Sequence, residues 1–293
     1  MTALSRKALA TPAPSVGIVH LGVGAFHRSH QAWYTDMVDD AAEWGIAGFT
    51  GRSPEVARLL TPQDGLYTLI TRSDRVDEAR IVSSLATVTD GADLDRLAGT
   101  LAAPATKLVT LTITEPGYST DSDGVPARLL RGLDARRRAD AGPIAVVPCD
   151  NLPGNGGRLS EILHELASGV LSDWLTESVS FVSTSVDRIT PAATAADRAT
   201  AEVLTGWEDA APVVTEPFHN WILSGDFPAG RPAWERAGAQ FVDDIEPFER
   251  RKLWLLNGAH STLAYLGLHR GHRTVTEAID DPVCRAAVQA LWE

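Results

Sequence analysis

The sequence predicts an α/β fold, a doubly wound and mostly parallel sheet followed by the start of an all-helical C-terminal domain. Three observations predict it. Short apolar or β-branched runs alternate with helical stretches as far as about residue 246. The first run ends in a glycine-rich turn, Gly22-Val23-Gly24. Beyond Pro247 the segments keep helical spacing and show no clear strand.

The elements follow in order. Residues 1–14 read as a flexible tail with two prolines near its end. Residues 16–22 (VGIVHLG) are an apolar run closed by glycine, a buried strand. Residues 29–40 have helical character, with Trp33 and Met37 at helix spacing. Residues 45–50 form a second apolar run. Ser53-Pro54 then opens a helix, serine as its cap and proline at its first position. Residues 66–71 and 79–89 are extended, and 93–101 are helical. Residues 107–114 (KLVTLTIT) are β-branched and read as a strand, as do 144–148 and 178–186. A helix fills 155–170. The domains are therefore the tail 1–14, an α/β domain 15–245, and a helical domain 246–293. The chain stops inside an amphipathic helix at 282–293, so the last domain reads as a beginning only.

Composition narrows the function. A net charge of −12 argues against a nucleic-acid surface, which needs a positive field. The one basic run, Arg136-Arg137-Arg138, reads as a solvated helix face. Two cysteines, Cys149 and Cys284, supply neither a disulfide framework nor a four-cysteine zinc site, and they fit a reducing compartment. No apolar stretch reaches the roughly 18 residues of a membrane span. The expectation is a cytoplasmic protein without membrane or nucleic-acid partners. The oligomeric state is not legible.

Four motifs carry chemistry. Gly22, Val23, Gly24, Ala25, Phe26 and His27 follow the first strand, where glycines let a backbone approach a pyrophosphate. His27 stands where a third glycine is usual. At the end of the second strand a carboxylate would hold a ribose 2′-hydroxyl; Gly51-Arg52-Ser53 stands there instead. Arg52 can pair with a 2′-phosphate or stack on adenine, and Ser53 can equally be a plain helix cap. In Cys149-Asp150-Asn151-Leu152-Pro153-Gly154-Asn155, Asn151 could offer its amide to a substrate oxygen, or the segment could be a turn bonded to its own backbone. Asn155 reads as a helix cap.

The fourth motif is 249–260 (ERRKLWLLNGAH). At about 100° per residue, Lys252, Leu253, Leu256, Asn257 and His260 share an arc of about 140°. An amine, an amide and an imidazole among leucines need partners, which a substrate site supplies. A lysine in an apolar cleft loses proton affinity and can exchange a proton with a hydroxyl. Amide donors can hold alkoxide charge. No metal is needed, and neither a hydrolase elbow nor a phosphate loop with Gly-Lys-Ser/Thr is present.

Taken together, HLGVGAFHRSHQAWYTD, QDGLYTL, LTITEPGY, CDNLPGNG, VDRITP, EPFHNWIL and KLWLLNGAHSTLAYLG resemble the long-chain mannitol dehydrogenase and fructuronate reductase family, in family order from residue 20 to about 267. The resemblance implies a Rossmann-type N-terminal domain, a helical C-terminal domain, and an active site between them. It implies NAD as cofactor, with NADP left open by Arg52. Lys252 is then the general acid/base. Asn151 and Asn257 hold the substrate oxygen, His260 binds substrate, and Asp187 lies near the cofactor or active site. Glu249 is a proton relay. Family members continue past residue 293. The expected reaction interconverts mannitol with fructose or mannonate with fructuronate. The alternative is a nucleotide-binding or sensing protein without turnover, which would have no need of an acid/base.

Overall fold

The computed structural model describes residues 2–293 and divides into two units, one ending at Asp243 and the other Asp244–Glu293. Six strands make the main sheet of the first unit: β1 (Val16–Leu21), β2 (Gly45–Phe49), β3 (Leu85–Thr89), β4 (Leu108–Leu111), β5 (Ile144–Pro148) and β6 (Val179–Phe181). Their spatial order is β3-β2-β1-β4-β5-β6, and every neighbouring pair is parallel. This is the doubly wound order, and its direction reverses between β1 and β4.

The strand residues are apolar because both faces of the sheet are covered. Alternate residues of β1 serve two cores. Ile18 packs with Ile46, Leu108 and Val147, while Val19 and Leu21 pack with Ala47, Phe49, Val109 and Val146. Each fully buried aliphatic side chain stabilises by about 1.5–3 kcal/mol relative to exposure.

Two expected strands divide in the structure. In 79–89, Glu78–Val82 pairs antiparallel with Tyr67–Thr71 in a separate sheet, and only Leu85–Thr89 joins the main one as β3. Asp36 makes the break by accepting from Ser83 N (2.7 Å) and Ser83 Oγ (3.0 Å). In 178–186, β6 gives way to Ser183–Asp187, which pairs with Asn220–Ser224.

The expected flexible tail is ordered. Thr2–Ala3 pairs in parallel with Trp207–Glu208, and Leu4 is fully buried. Arg6 is buried too. Its guanidinium donates to the carbonyls of Pro12, Asp64, Ser83 and Leu85, so a polar composition concealed an anchor. The basic run departs from expectation in the same way. Arg136 lies on the helix Val125–Arg138 but is only 1% exposed. It donates to the carbonyls of Leu101, Thr106, Ala141 and Gly142, so only its neighbours face solvent.

The second unit is helical: Glu246–Arg251, a π-helical segment Lys252–Asn257, Gly258–His269, Val275–Asp280 and Pro282–Trp292. Its core is small, made of Ala259, Leu263, Ala278, Cys284 and Val288. No helix among the described residues is long and apolar enough to cross a membrane.

Candidate functional site

The glycine turn is fixed by its neighbours. Gly22 sits at φ +101°, and a Cβ there would stand 2.3 Å from the Thr112 carbonyl oxygen. Only glycine ends β1 at this place. The amides of Gly22 and Val23 both donate to the Phe49 carbonyl, at 2.8 and 3.2 Å, which ties the turn to β2. A Cβ on Gly24 would meet nothing nearer than 3.7 Å, so this backbone is open on its outer side. The following helix starts at Ala25, earlier than expected. It ends at Ser29 and resumes as Gln31–Asp36.

Beneath the turn lies a histidine pair. The rings of His20 and His27 stack with centroids 3.3 Å apart, and both side chains are fully buried. His20 Nδ1 lies 2.7 Å from Thr110 Oγ1, and His27 Nδ1 lies 3.3 Å from Gln31 Oε1. Neither Nε2 has a hydrogen-bond partner among the described residues. Burial pushes His20 down to about 3. It lowers His27 as well, helped by the neighbouring imidazole. Both rings are therefore neutral at pH 7. The His27 side chain packs inward and lines neither of the clefts described next.

Two adjoining clefts open at the carboxyl ends of the strands, where the sheet order reverses. The first, about 470 Å³, is lined by Gly22, Thr50, Gly51, Arg52, Gly91, Thr112 and Arg128 among others. The second, about 440 Å³, is lined by Phe26, Glu115, Cys149, Asp150, Asn151 and Val186 among others. Thr112, Ile113 and Thr114 line both, so the clefts form one trough, each half large enough for part of a ligand. Gly22, Arg52, Phe26 and Asn151 are thereby brought to one feature.

Other expected residues stand apart from it. Ser53 Oγ accepts from Glu55 N at 3.2 Å, but the helix begins at Glu55 with Pro54 in the N-cap position, so Ser53 is not the expected cap and Pro54 is not the first helical residue. Asp187 is half-buried at the end of its strand, opposite Asn220, and its neighbour Val186 reaches the trough. Asn155 is not a cap but the first residue of its helix. Its amide bridges to the Thr184 backbone, accepting at 2.9 Å and donating at 3.1 Å. Sequence reasoning missed Thr112, Thr114, Gly91 and Arg128. Only Gly91, in an Asp-Gly turn, carried a local signal: a Cβ there would overlap the Thr50 carbonyl oxygen at 1.9 Å.

In the second unit, Lys252 and Asn257 are the two ends of the π-helical segment, and both are half-buried. An α-helix would hold them about 140° apart. Winding closed by i→i+5 bonds brings the pair toward one side, and such segments cluster at functional sites. His260 is exposed on the next α-helical stretch, its Nδ1 3.1 Å from the Leu256 carbonyl. That contact makes Nδ1 the donor and leaves Nε2 as an acceptor. The expected apolar character of that arc does not hold: Leu253 and Leu256 are exposed, and the winding change draws Lys252 and Asn257 closer together. Glu249 is half-buried in the last turn before Lys252.

The comparisons with known proteins match both units. Residues 16–236 match the mannitol dehydrogenase Rossmann domain, and residues 244–293 the mannitol dehydrogenase C-terminal domain. The chain belongs to the mannitol dehydrogenase family. Its fold aligns with the ternary complex of Pseudomonas fluorescens mannitol 2-dehydrogenase with NAD and D-mannitol, at a TM-score of 0.88 and 36% identity, over 100% of this chain and 68% of that one. It is 37% identical to mannitol 2-dehydrogenase of Cereibacter sphaeroides, over 96% of this chain and 64% of that protein. It is 34% identical to D-mannonate oxidoreductase of Escherichia coli, over 94% of this chain and 63% of that protein. The chain thus spans less than two thirds of the length of these two curated relatives.

This family member carries one group of metal-ligand type among the described residues, His272, Asp281 and Cys284. Arg270 Nε donates to Asp281 Oδ2 at 2.7 Å, and His272 Nε2 lies 2.9 Å from the same oxygen. A guanidinium stands where it would repel a cation, so the cluster is explained as an ion pair that anchors the N-terminus of the last helix.

Proposed function

We propose that this mannitol dehydrogenase family member is an oxidoreductase that uses NAD, and NADP as a second choice, to interconvert a polyol or aldonate with its keto form without a metal. Mannitol with fructose and mannonate with fructuronate are the leading pairs. The observation that carries this reading is the trough at the reversal of the sheet order, floored at one end by the glycine turn and walled at the other by Asn151.

The residues present fit a dinucleotide. Gly22 lines the first cleft, Arg52 reaches its wall, and the Thr112–Thr114 segment continues into the second. When bound, the nicotinamide supplies the two-electron acceptor or donor of the reaction. The protein's own groups handle the proton and the oxygen. Lys252, as the neutral amine, takes the hydroxyl proton onto Nζ during oxidation and returns it to the carbonyl oxygen during reduction. The amides of Asn151 and Asn257 donate to that oxygen as it gains negative charge. His260 Nε2 accepts from a further substrate hydroxyl, and Glu249 passes the proton between Lys252 and solvent.

A panel of polyols and aldonates, and of the matching ketoses and keto acids, incubated with oxidised or reduced cofactor and followed at the absorbance of reduced nicotinamide, tests the reading. Turnover of at least one pair is expected. Tight cofactor binding with no turnover of any of them would leave a nucleotide-binding protein instead.

A further inference from the structure

We infer that Tyr118 and Asp150 are positioning residues that hold Asn151 in register across the second cleft. Resting on the dehydrogenase reading above, this adds two residues to that site. The two come from different loops. Tyr118 follows the short turn Glu115–Gly117 in the loop after β4, and Asp150 lies in the loop after β5. The Tyr118 hydroxyl donates to Asp150 Oδ2. The other carboxylate oxygen, Oδ1, accepts from Leu152 N at 3.0 Å and so closes a turn directly over Asn151. Below the turn, Asn155 Nδ2 lies 3.4 Å from the Asp150 carbonyl and 3.1 Å from that of Thr184. Thr184 Oγ1 in turn donates to the Pro148 carbonyl at 2.6 Å.

Asn151 is therefore spanned by one carboxylate, itself held by a phenol from the loop after β4. Tyr118 is only 9% exposed, and burial raises its proton affinity, with the adjacent carboxylate adding to the effect. The phenol stays a donor throughout the neutral range. A geometry that must hold an amide against a reacting oxygen tolerates little displacement, and an error of about 1 Å can cost roughly 100-fold in rate. Nucleotide contacts of the first cleft do not involve this pair, so its loss should spare them.

The test compares Tyr118→Phe, Asp150→Ala and Asp150→Asn with the wild type in steady-state turnover, cofactor affinity by nicotinamide fluorescence, and amide exchange at Leu152. Tyr118→Phe should lower kcat roughly 10- to 100-fold, leave cofactor affinity within about twofold, and speed exchange at Leu152. Asp150→Asn keeps an Oδ1 acceptor for Leu152 N, and its Nδ2 can donate to the Tyr118 oxygen in place of accepting from it, so it should recover part of the turnover that Asp150→Ala loses. Unchanged kcat in Tyr118→Phe, or parallel loss of turnover and cofactor affinity, overturns the inference. If the wild type turns over no polyol or aldonate, the functional reading fails by itself. The Leu152 amide then decides the pair: faster exchange in Tyr118→Phe supports it, and an unchanged rate overturns it.

Discussion

Acidification from pH 7.5 to 5 should cost this protein several kcal/mol of stability through two side chains. His20 and His27 are wholly buried and stacked, with no partner at either Nε2 among the described residues. A proton added to either ring would leave a buried charge beside another imidazole. Folding therefore lowers both proton affinities, His20 to about 3. The unfolded chain binds protons near pH 6.5 and the folded chain does not, so stability falls as pH drops from 6.5 toward 3. Each histidine costs about 1.4 kcal/mol per pH unit in that window, or about 2 kcal/mol at pH 5 and about 4 kcal/mol for the pair. That is a large share of the roughly 5–15 kcal/mol typical of a folded domain.

Other shifted groups leave this window largely clear. Burial lowers His219, which adds a smaller effect of the same sign because it is half-exposed. Asp197 and Asp281 are held low by hydrogen bonds, so their support is lost only below the ordinary carboxylate range. Asp150 is raised by burial and works in the opposite direction. Urea unfolding of the wild type and His27→Asn at half-unit steps between pH 7.5 and 5 measures the slope. The variant should show about half of it. A flat wild-type profile, or equal slopes in both proteins, would refute the buried neutral pair.

Four further outcomes are expected. Lys252→Ala should lower turnover about 10²- to 10⁴-fold with cofactor binding little changed, and should remove one ionisation from the pH profile of oxidation; equal loss of cofactor binding would assign Lys252 a structural role. Arg52→Ala should weaken NADP more than NAD in a binding titration, and equal weakening would show that Arg52 does not read the 2′ position. Dialysis against a chelator should leave turnover unchanged, whereas loss restored by zinc would overturn the lysine mechanism. Arg136→Met should destabilise by at least about 3 kcal/mol in thermal or urea unfolding, because several buried carbonyls lose their donor.

What the sequence discloses depends on how local the cause is. The strands of the main sheet were legible because burial on both faces demands continuous apolar runs. The turn at Gly22 was legible because a positive φ and a close neighbour leave glycine no substitute. Arg6 and Arg136 were misread because an arginine's surroundings are set by distant carbonyls. Nothing near residue 136 announces that the chain at 101–106 will leave acceptors there. The break at Ser83 is the same case, made by Asp36 from 47 residues away.

The segment 252–257 departs from the expected winding for a different reason. An α-helical wheel assumes about 100° per residue, and on that assumption Lys252 and Asn257 stand at the two edges of an arc of about 140°. Six residues of wider winding draw Asn257 closer to Lys252 than that arc does. For a site that needs a proton-exchanging amine and an amide donor on one oxygen, that regrouping favours the chemistry more than the wheel did. It also explains why the leucines between them need not share the face: in Leu253 to Leu256 the apolar residues turn outward and are exposed, while Lys252 and Asn257 stay half-buried.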